Sequence, residues 1–240
     1  MLKVNKFLPV IFLSILIVIA ISPICYGNAA EPPSILIIVP DAPENLEISI
    51  ESNGEYRSAN KVNKIVEKYY TFYSRDLKNT ENYNLKIETE DNYFEILIDQ
   101  DLESYNNIFT LDFKNQTLTS GKSLSRSITL VSLRIALTLI IEALIFLAFG
   151  YRKKKSWIIF LIINLLTQGV LNIWINGFSP LMSYIFLTLI FGEIQVFIVE
   201  IFIFLKFVKE HSRLRTVLYV LLANLLSLIA GGYLITILPI

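Results

Sequence analysis

Cysteine and histidine are nearly missing from this 240-residue chain, which contains Cys25 and His211 and no others. A single thiol rules out a disulfide within the chain. One histidine rules out histidine-rich zinc sites, and Cys25 lies in a leader-like segment, so no Cys–His nucleophilic pair is expected either. The familiar catalytic signatures GxSxG, GxxxxGK, HExxH, GxGxxG and CxxC do not occur. The long apolar runs hold no Asp and no His, which removes paired-aspartate and Ser–His intramembrane proteases. The sequence therefore nominates no catalytic residue, no metal site and no cofactor. A glutamate-based membrane hydrolase is the one enzymatic form left open.

Long hydrophobic runs are what the chain does have. It is 54% apolar with a mean hydropathy of +0.56, above the usual range of about 45–50% apolar for soluble domains. The zero net charge hides a segregation. Residues 31–126 hold 17 acidic and 10 basic side chains, whereas residues 127–240 hold four acidic and nine basic ones. Eight of those nine lie in two short loops. Such asymmetry places different segments in different compartments.

The first 29 residues carry Lys3 and Lys6, an apolar core from Phe7 to Ile24, and then small residues. This reads as a secretory signal peptide cleaved before Ala30, with a retained anchor as the alternative. Four further apolar runs cover about 128–149, 157–176, 180–206 and 216–238. Each is near or above the ~20 residues needed to cross ~30 Å of hydrocarbon. Arg152, Lys153, Lys154 and Lys155 follow the first run, and Lys206, Lys209, Arg213 and Arg215 follow the third. The positive-inside rule puts loops 150–156 and 206–215 in the cytoplasm, and the C-terminus and the exported segment 30–126 outside a cell membrane. Trp157 and Trp174, at opposite ends of the second run, read as interface anchors.

Within the exported segment, SILIIV, NLEISIES, YNLKIETE, YFEILID and NIFTLDF read as strands separated by Pro and Gly turns. KVNKIVEKYYTFYSR fits either period and is read as strand, because Val, Tyr, Thr and Phe favour one. The fold class is thus mixed and membrane-bound. It combines a small antiparallel, sandwich-like domain of immunoglobulin type with a C-terminal four-helix transmembrane bundle. Tyr69, Tyr70, Phe72 and Tyr73 form either a stacking platform for a ligand or the aromatic packing of a sheet.

The apolar runs contain polar side chains at matching depths. At ~1.5 Å per residue, Glu142 lies roughly 21 Å from the outer edge, Asn164 near 20 Å, Glu193 about 19 Å and Asn224 near 18 Å. These four define an expected polar layer, one residue from each helix. Arg134, Gln168 and Asn172 support it nearer the outer edge, and Glu200 lies about 30 Å deep as a mundane interfacial or interhelical pair. Ala223, Ser227 and Gly231 make a ridge for close helix contact. Two carboxylates at one depth require a shared proton, Arg134 or a bound ion. The layer reads either as a satisfied polar core that fixes helix register, as a ligand pocket, or as an ion or proton site, for which ligands that are all oxygen suit protons or a hard cation.

The stretch LRIALTLIIEALIFLAFGYRKKKSWIIFLIINLLTQGVLNI, with LLANLLSLIAGGY, resembles a group of poorly characterised membrane proteins of low-GC Gram-positive bacteria. The resemblance implies a signal peptide, a small extracytoplasmic domain and a multi-span region, and it carries no activity. Two functions are expected from the residues. One is interaction or sensing at the cell envelope through the exported domain. The alternative is a small cation or proton transporter, or a subunit of one, using the intramembrane carboxylates. The expected partners are the lipid bilayer and a membrane protein or further copies of the chain, not nucleic acid.

Overall fold

The computed structural model describes residues 31–52, 54–77, 83–181 and 184–238. The leader reading and Cys25 lie outside these residues. Nine strands come first: β1 Ile35–Pro40, β2 Glu47–Ser52, β3 Glu55–Ser58, β4 Asn60–Asn63, β5 Glu67–Phe72, β6 Tyr83–Glu88, β7 Tyr93–Ile98, β8 Asn107–Asp112 and β9 Thr117–Ser120. Four helices follow: α1 Leu124–Ala148, α2 Lys154–Asn176, α3 Ile185–Phe207 and α4 Arg213–Ile237.

The strands form two sheets, ordered β4-β5-β1-β8-β9 and β3-β2-β6-β7. All ladders are antiparallel except β1 with β8, which is parallel. Alternation decides which faces meet. Leu46, Ile48, Ile50, Leu85 and Ile87 from one sheet pack on Ile35, Ile37, Tyr70, Phe72 and Phe109 from the other. β1 reads ILIIV without alternation because it is buried on both faces. It therefore sits at the centre of its sheet. An immunoglobulin domain holds its first strand at a sheet edge, so that part of the expectation does not hold, while the sandwich does.

The segment read as either helix or strand forms β4, a turn and β5. Tyr69, Tyr70 and Phe72 are buried. The Tyr70 hydroxyl donates to the Leu46 carbonyl at 2.9 Å, and burial pushes this phenol up to about 12. Only Tyr73 of the four aromatic candidates is part-exposed. This leaves no stacking platform, because both faces of β5 are already covered.

The second face of the β1 sheet meets the end of the helical segment. Leu36, Ile38 and Tyr69 bury against Leu181, in the connection between α2 and α3. Arg126, in the first turn of α1, grips Glu67 of β5 with two donors, and both side chains are buried. Lys122 donates to the Asn176 carbonyl at 2.8 Å and the Phe178 carbonyl at 2.6 Å, where α2 ends. Lys64 donates to the Thr236 carbonyl at 2.7 Å near the end of α4. Carbonyls at helix ends have no partner within the helix, so each of these contacts satisfies an acceptor that the helix leaves open.

All four helices are long and apolar enough to cross a membrane, with mean hydropathies from 2.0 to 2.3 over 18 residues. Their outward faces are apolar, with Ile140, Leu144, Leu166, Val170, Phe202 and Ile229 exposed, while Asn, Gln, Thr and Glu side chains turn inward. This inverts the pattern of a soluble bundle and matches a lipid surroundings. The chain is a multi-pass membrane protein on this ground. Gly192 lets α3 approach α2, since a Cβ there would collide with Leu171. Gly150 ends α1 at a φ of +83°, the left-handed conformation common just past a helix end. Glu210 then crosses from the loop before α4 to accept from the Arg152 and Lys153 amides at 2.8 and 3.1 Å, capping α2.

Candidate functional site: the polar core of the helical bundle

Every intramembrane residue nominated from the sequence is buried: Arg134, Glu142, Asn164, Gln168, Asn172, Glu193, Glu200 and Asn224. They recur at helical spacing along the inner face of each helix, so one stripe per helix delivers them to the bundle interior. Their vertical order differs from the expected one. Glu200 is the carboxylate that meets α4. Its two oxygens accept from Asn224 Nδ2 at 2.7 Å and from Thr167 of α2 at 2.8 Å. Glu193 lies beside Gln168, one tier closer to the β domain. The cause is the start of α3. Counting depth from residue 180 assumes a helix there, but the helix begins at Ile185. Five residues correspond to about 7 Å of rise, which raises Glu200 to the level of Asn164 and Asn224 and lifts Glu193 to that of Gln168.

Glu142 stands between these tiers, within Coulombic range of both Glu193 and Glu200. It is 0% exposed, and neither of its oxygens accepts a hydrogen bond from any described residue. Ser227 lies alongside, but its hydroxyl already donates to the Asn224 carbonyl at 3.0 Å. The amides are likewise committed. Asn164 Nδ2 donates to the Phe160 carbonyl at 2.8 Å, Asn172 Nδ2 to the Gln168 carbonyl at 2.9 Å, and Asn224 Nδ2 to the Val220 carbonyl at 3.0 Å. Each bond returns to the residue four positions earlier on the same helix. It fixes which end of the amide faces the core.

Toward the basic loops the chemistry changes. Phe146 stacks on Tyr151 at 4.1 Å between ring centroids and on Phe160 at 4.9 Å. Trp157, Phe204 and Tyr219 close around it edge-on. Trp157 thus serves this cluster and donates to the Tyr151 carbonyl at 3.3 Å, whereas the sequence suggested an interface anchor. Trp174 at the other end of α2 is exposed, as an anchor is. Below the rings, Tyr151 donates to Thr216 at 3.0 Å. The sequence offered a signal for this plug that composition alone hides: Phe146, Phe160, Phe204 and Tyr219 all lie within two turns of the basic loops.

The core therefore gathers carboxylate, amide and hydroxyl oxygens inside the bundle. Among the described residues, no three Asp, Glu, His or Cys side chains converge to hold a metal ion. No known family model and no curated protein matches the chain.

Proposed function

We propose that the protein presents its β domain on the outer face of a cell membrane, as a sensing or interaction module held rigidly to its own bundle. One observation carries this reading: the two sheets expose unequal faces. On its second side the β1 sheet packs Leu36, Ile38 and Tyr69 against Leu181 of the α2–α3 connection. The other sheet turns an open, ordered face away. There Glu95 accepts from Tyr56 at 3.1 Å, from Asn84 at 2.7 Å and from Tyr93, and Lys86 lies over both tyrosine rings. A domain clamped on one side and displayed on the other suits reception of a partner. The basic loops 150–156 and 206–215 support a cytoplasmic position for the opposite end. Membership of the Gram-positive group with a leader and an extracytoplasmic domain belongs to the same proposal.

Two measurements test it. In a Cys25→Ser background on intact cells, an impermeant thiol reagent is expected to label Lys86→Cys and to spare Lys154→Cys. Equal or reversed labelling overturns the orientation. A photo-crosslinker at Tyr93 is expected to yield a discrete adduct in native membranes, and one at Val170, on the lipid face, is not. If neither position gives an adduct, the interaction reading fails.

A second reading, passage of a cation or proton, is favoured by the partnerless carboxylate of Glu142. The ring cluster around Phe146 weighs against a through route. Flux into vesicles that Glu193→Gln abolishes in a folded protein would establish passage; flux unchanged by it would discard this reading.

A further inference from the structure

We propose that the bundle core is a binding site for a monovalent cation, a proton or an alkali-metal ion, held at the level of Glu142 by carboxylate and amide oxygens and reached from the β-domain end. The inference deepens the sensing reading by naming what the membrane part responds to, yet it rests on different residues.

Its basis is an imbalance of donors and acceptors. Asn164 Nδ2 donates to the Phe160 carbonyl of its own helix, and Asn224 Nδ2 to the Val220 carbonyl and to Glu200, which leaves both Oδ1 atoms as acceptors. Neither accepts a bond from a described residue, and the same holds for both Glu142 oxygens and for Glu193 Oε2. These five buried acceptor oxygens outnumber the donor groups beside them: Gln168 Nε2, which has no acceptor of its own, the second N–H of Asn164 and the Tyr219 hydroxyl. A buried acceptor without a donor costs on the order of 1–3 kcal/mol, and an isolated charge more. Rotating the amides does not help, since each would then forfeit its bond to the helix. A species that is positive, small and content with oxygen ligands answers the oxygens that these donors leave over.

The charge points the same way. Three carboxylates project from α1 and α3, and the cation among the buried side chains of the bundle is Arg134, two turns from Glu142 on the same helix. The groups that face Glu142 are Glu193 and Glu200 from α3 and Ser227 and Tyr219 from α4, the last of which also meets the neutral Asn164 of α2. Divalent ions want several carboxylates around one point, and no such convergence exists among the described residues. A single positive charge fits one or two carboxylates with amide oxygens. Polar side chains continue upward through Thr138, Gln168 and Asn172, whereas the stacked rings of Phe146, Tyr151 and Phe160 close the other direction. Closed toward the basic loops, the site suits occupancy that is read out rather than passed on.

The test uses the full chain in nanodiscs of zwitterionic lipid. Thermal unfolding is followed by tryptophan fluorescence in lithium, sodium, potassium and choline chlorides at equal ionic strength, at pH 5.5, 7 and 8.5. If the ligand is an alkali ion, the Tm rises by several degrees above that in choline as its concentration increases at fixed pH. If the ligand is a proton, the Tm rises from pH 7 to 5.5, below the range in which Lys122 titrates, by the same amount in every salt. In either arm Glu142→Gln, which removes the charge and keeps the shape, flattens the response, and Glu193→Gln weakens it. A wild-type Tm that ignores both the salt and the pH, or a response that Glu142→Gln leaves intact, overturns the proposal. The wild-type curves alone decide against it if a variant does not accumulate. Loss of the Tyr93 adduct, by contrast, removes the interaction reading and leaves these curves untouched.

Discussion

From Asn172 down to Glu200 the inside of the bundle is made of amides, hydroxyls and carboxylates; from Phe146 to Tyr151 it is made of stacked rings. The first half is held by directed hydrogen bonds, several of which close on their own helix and tie no two helices together. The second half is held by shape, with one phenylalanine touching five other rings. In lipid, apolar side chains gain little by leaving the solvent, so close packing and interhelical hydrogen bonds carry association. Packing loses heavily when an atom group is deleted. Hydrogen bonds inside a membrane average well under 1 kcal/mol each. The ring half should therefore carry the stability, and the polar half should be free to serve function.

The largest expected effect tests that division directly. Phe146→Ala removes the central ring of the plug, where the side chain is fully buried. A cost of about 3–5 kcal/mol is expected for reversible unfolding in mixed micelles. A loss near zero would mean that the rings are a loose cluster, and the comparison would fall.

Next comes the joint between the bundle and the β domain. Arg126→Met strands the buried Glu67 carboxylate and should cost roughly 3–5 kcal/mol. Replacing Glu67 by Met as well should recover most of that, since an apolar pair of similar volume is often no less stable. If the double variant is as damaged as the single one, the joint depends on the geometry of the ion pair rather than on its charge balance.

Much of this architecture can be read from residue pattern alone, for reasons that differ by element. The helices announce themselves because lipid demands long apolar stretches, and β2 and β6 because half-burial imposes alternation. β3, β4 and β9 are four residues each and lie at sheet edges. An edge strand needs no apolar face, so EYRS, NKVN and TLTS carry no periodic signal. The polar side chains of the core are visible as exceptions within apolar runs. Their pairing is not, because hydropathy extends the third run back to residue 180 whereas the helix begins after Tyr184. Lys122 was invisible as a structural element: only the folded chain brings it to the end of α2.

Lys122 gives a pH test of the same joint. Burial first, and the neighbouring Arg126 and Arg134 second, lower its ammonium from the ordinary 10.5 to about 7. Between about pH 7 and 10.5 the unfolded chain therefore binds more protons at this site than the folded one. Stability attributable to the site rises with pH across that window, by at most ~1.4 kcal/mol per pH unit. Below pH 7 both states carry the proton and the dependence vanishes. Lys122→Met is expected to flatten the slope, whatever it does to the absolute stability. A slope that persists in the variant assigns it to another group.

The smallest expected effect lies in the polar half. Thr167→Val removes one donor to Glu200 while preserving shape, and Asn224 continues to hold the other oxygen. An interhelical bond of this kind in a membrane protein is worth ~0.6 kcal/mol on average and rarely more than ~1.7. A cost in that range, beside several kcal/mol for Phe146→Ala, would confirm that the rings hold the bundle and that the carboxylate tier is lightly tethered. A cost of ~3 kcal/mol or more would mean that Glu200 is a buried charge depending on every donor it has. The polar half would then be as structural as the ring half, and its carboxylates would have to be explained by folding before binding.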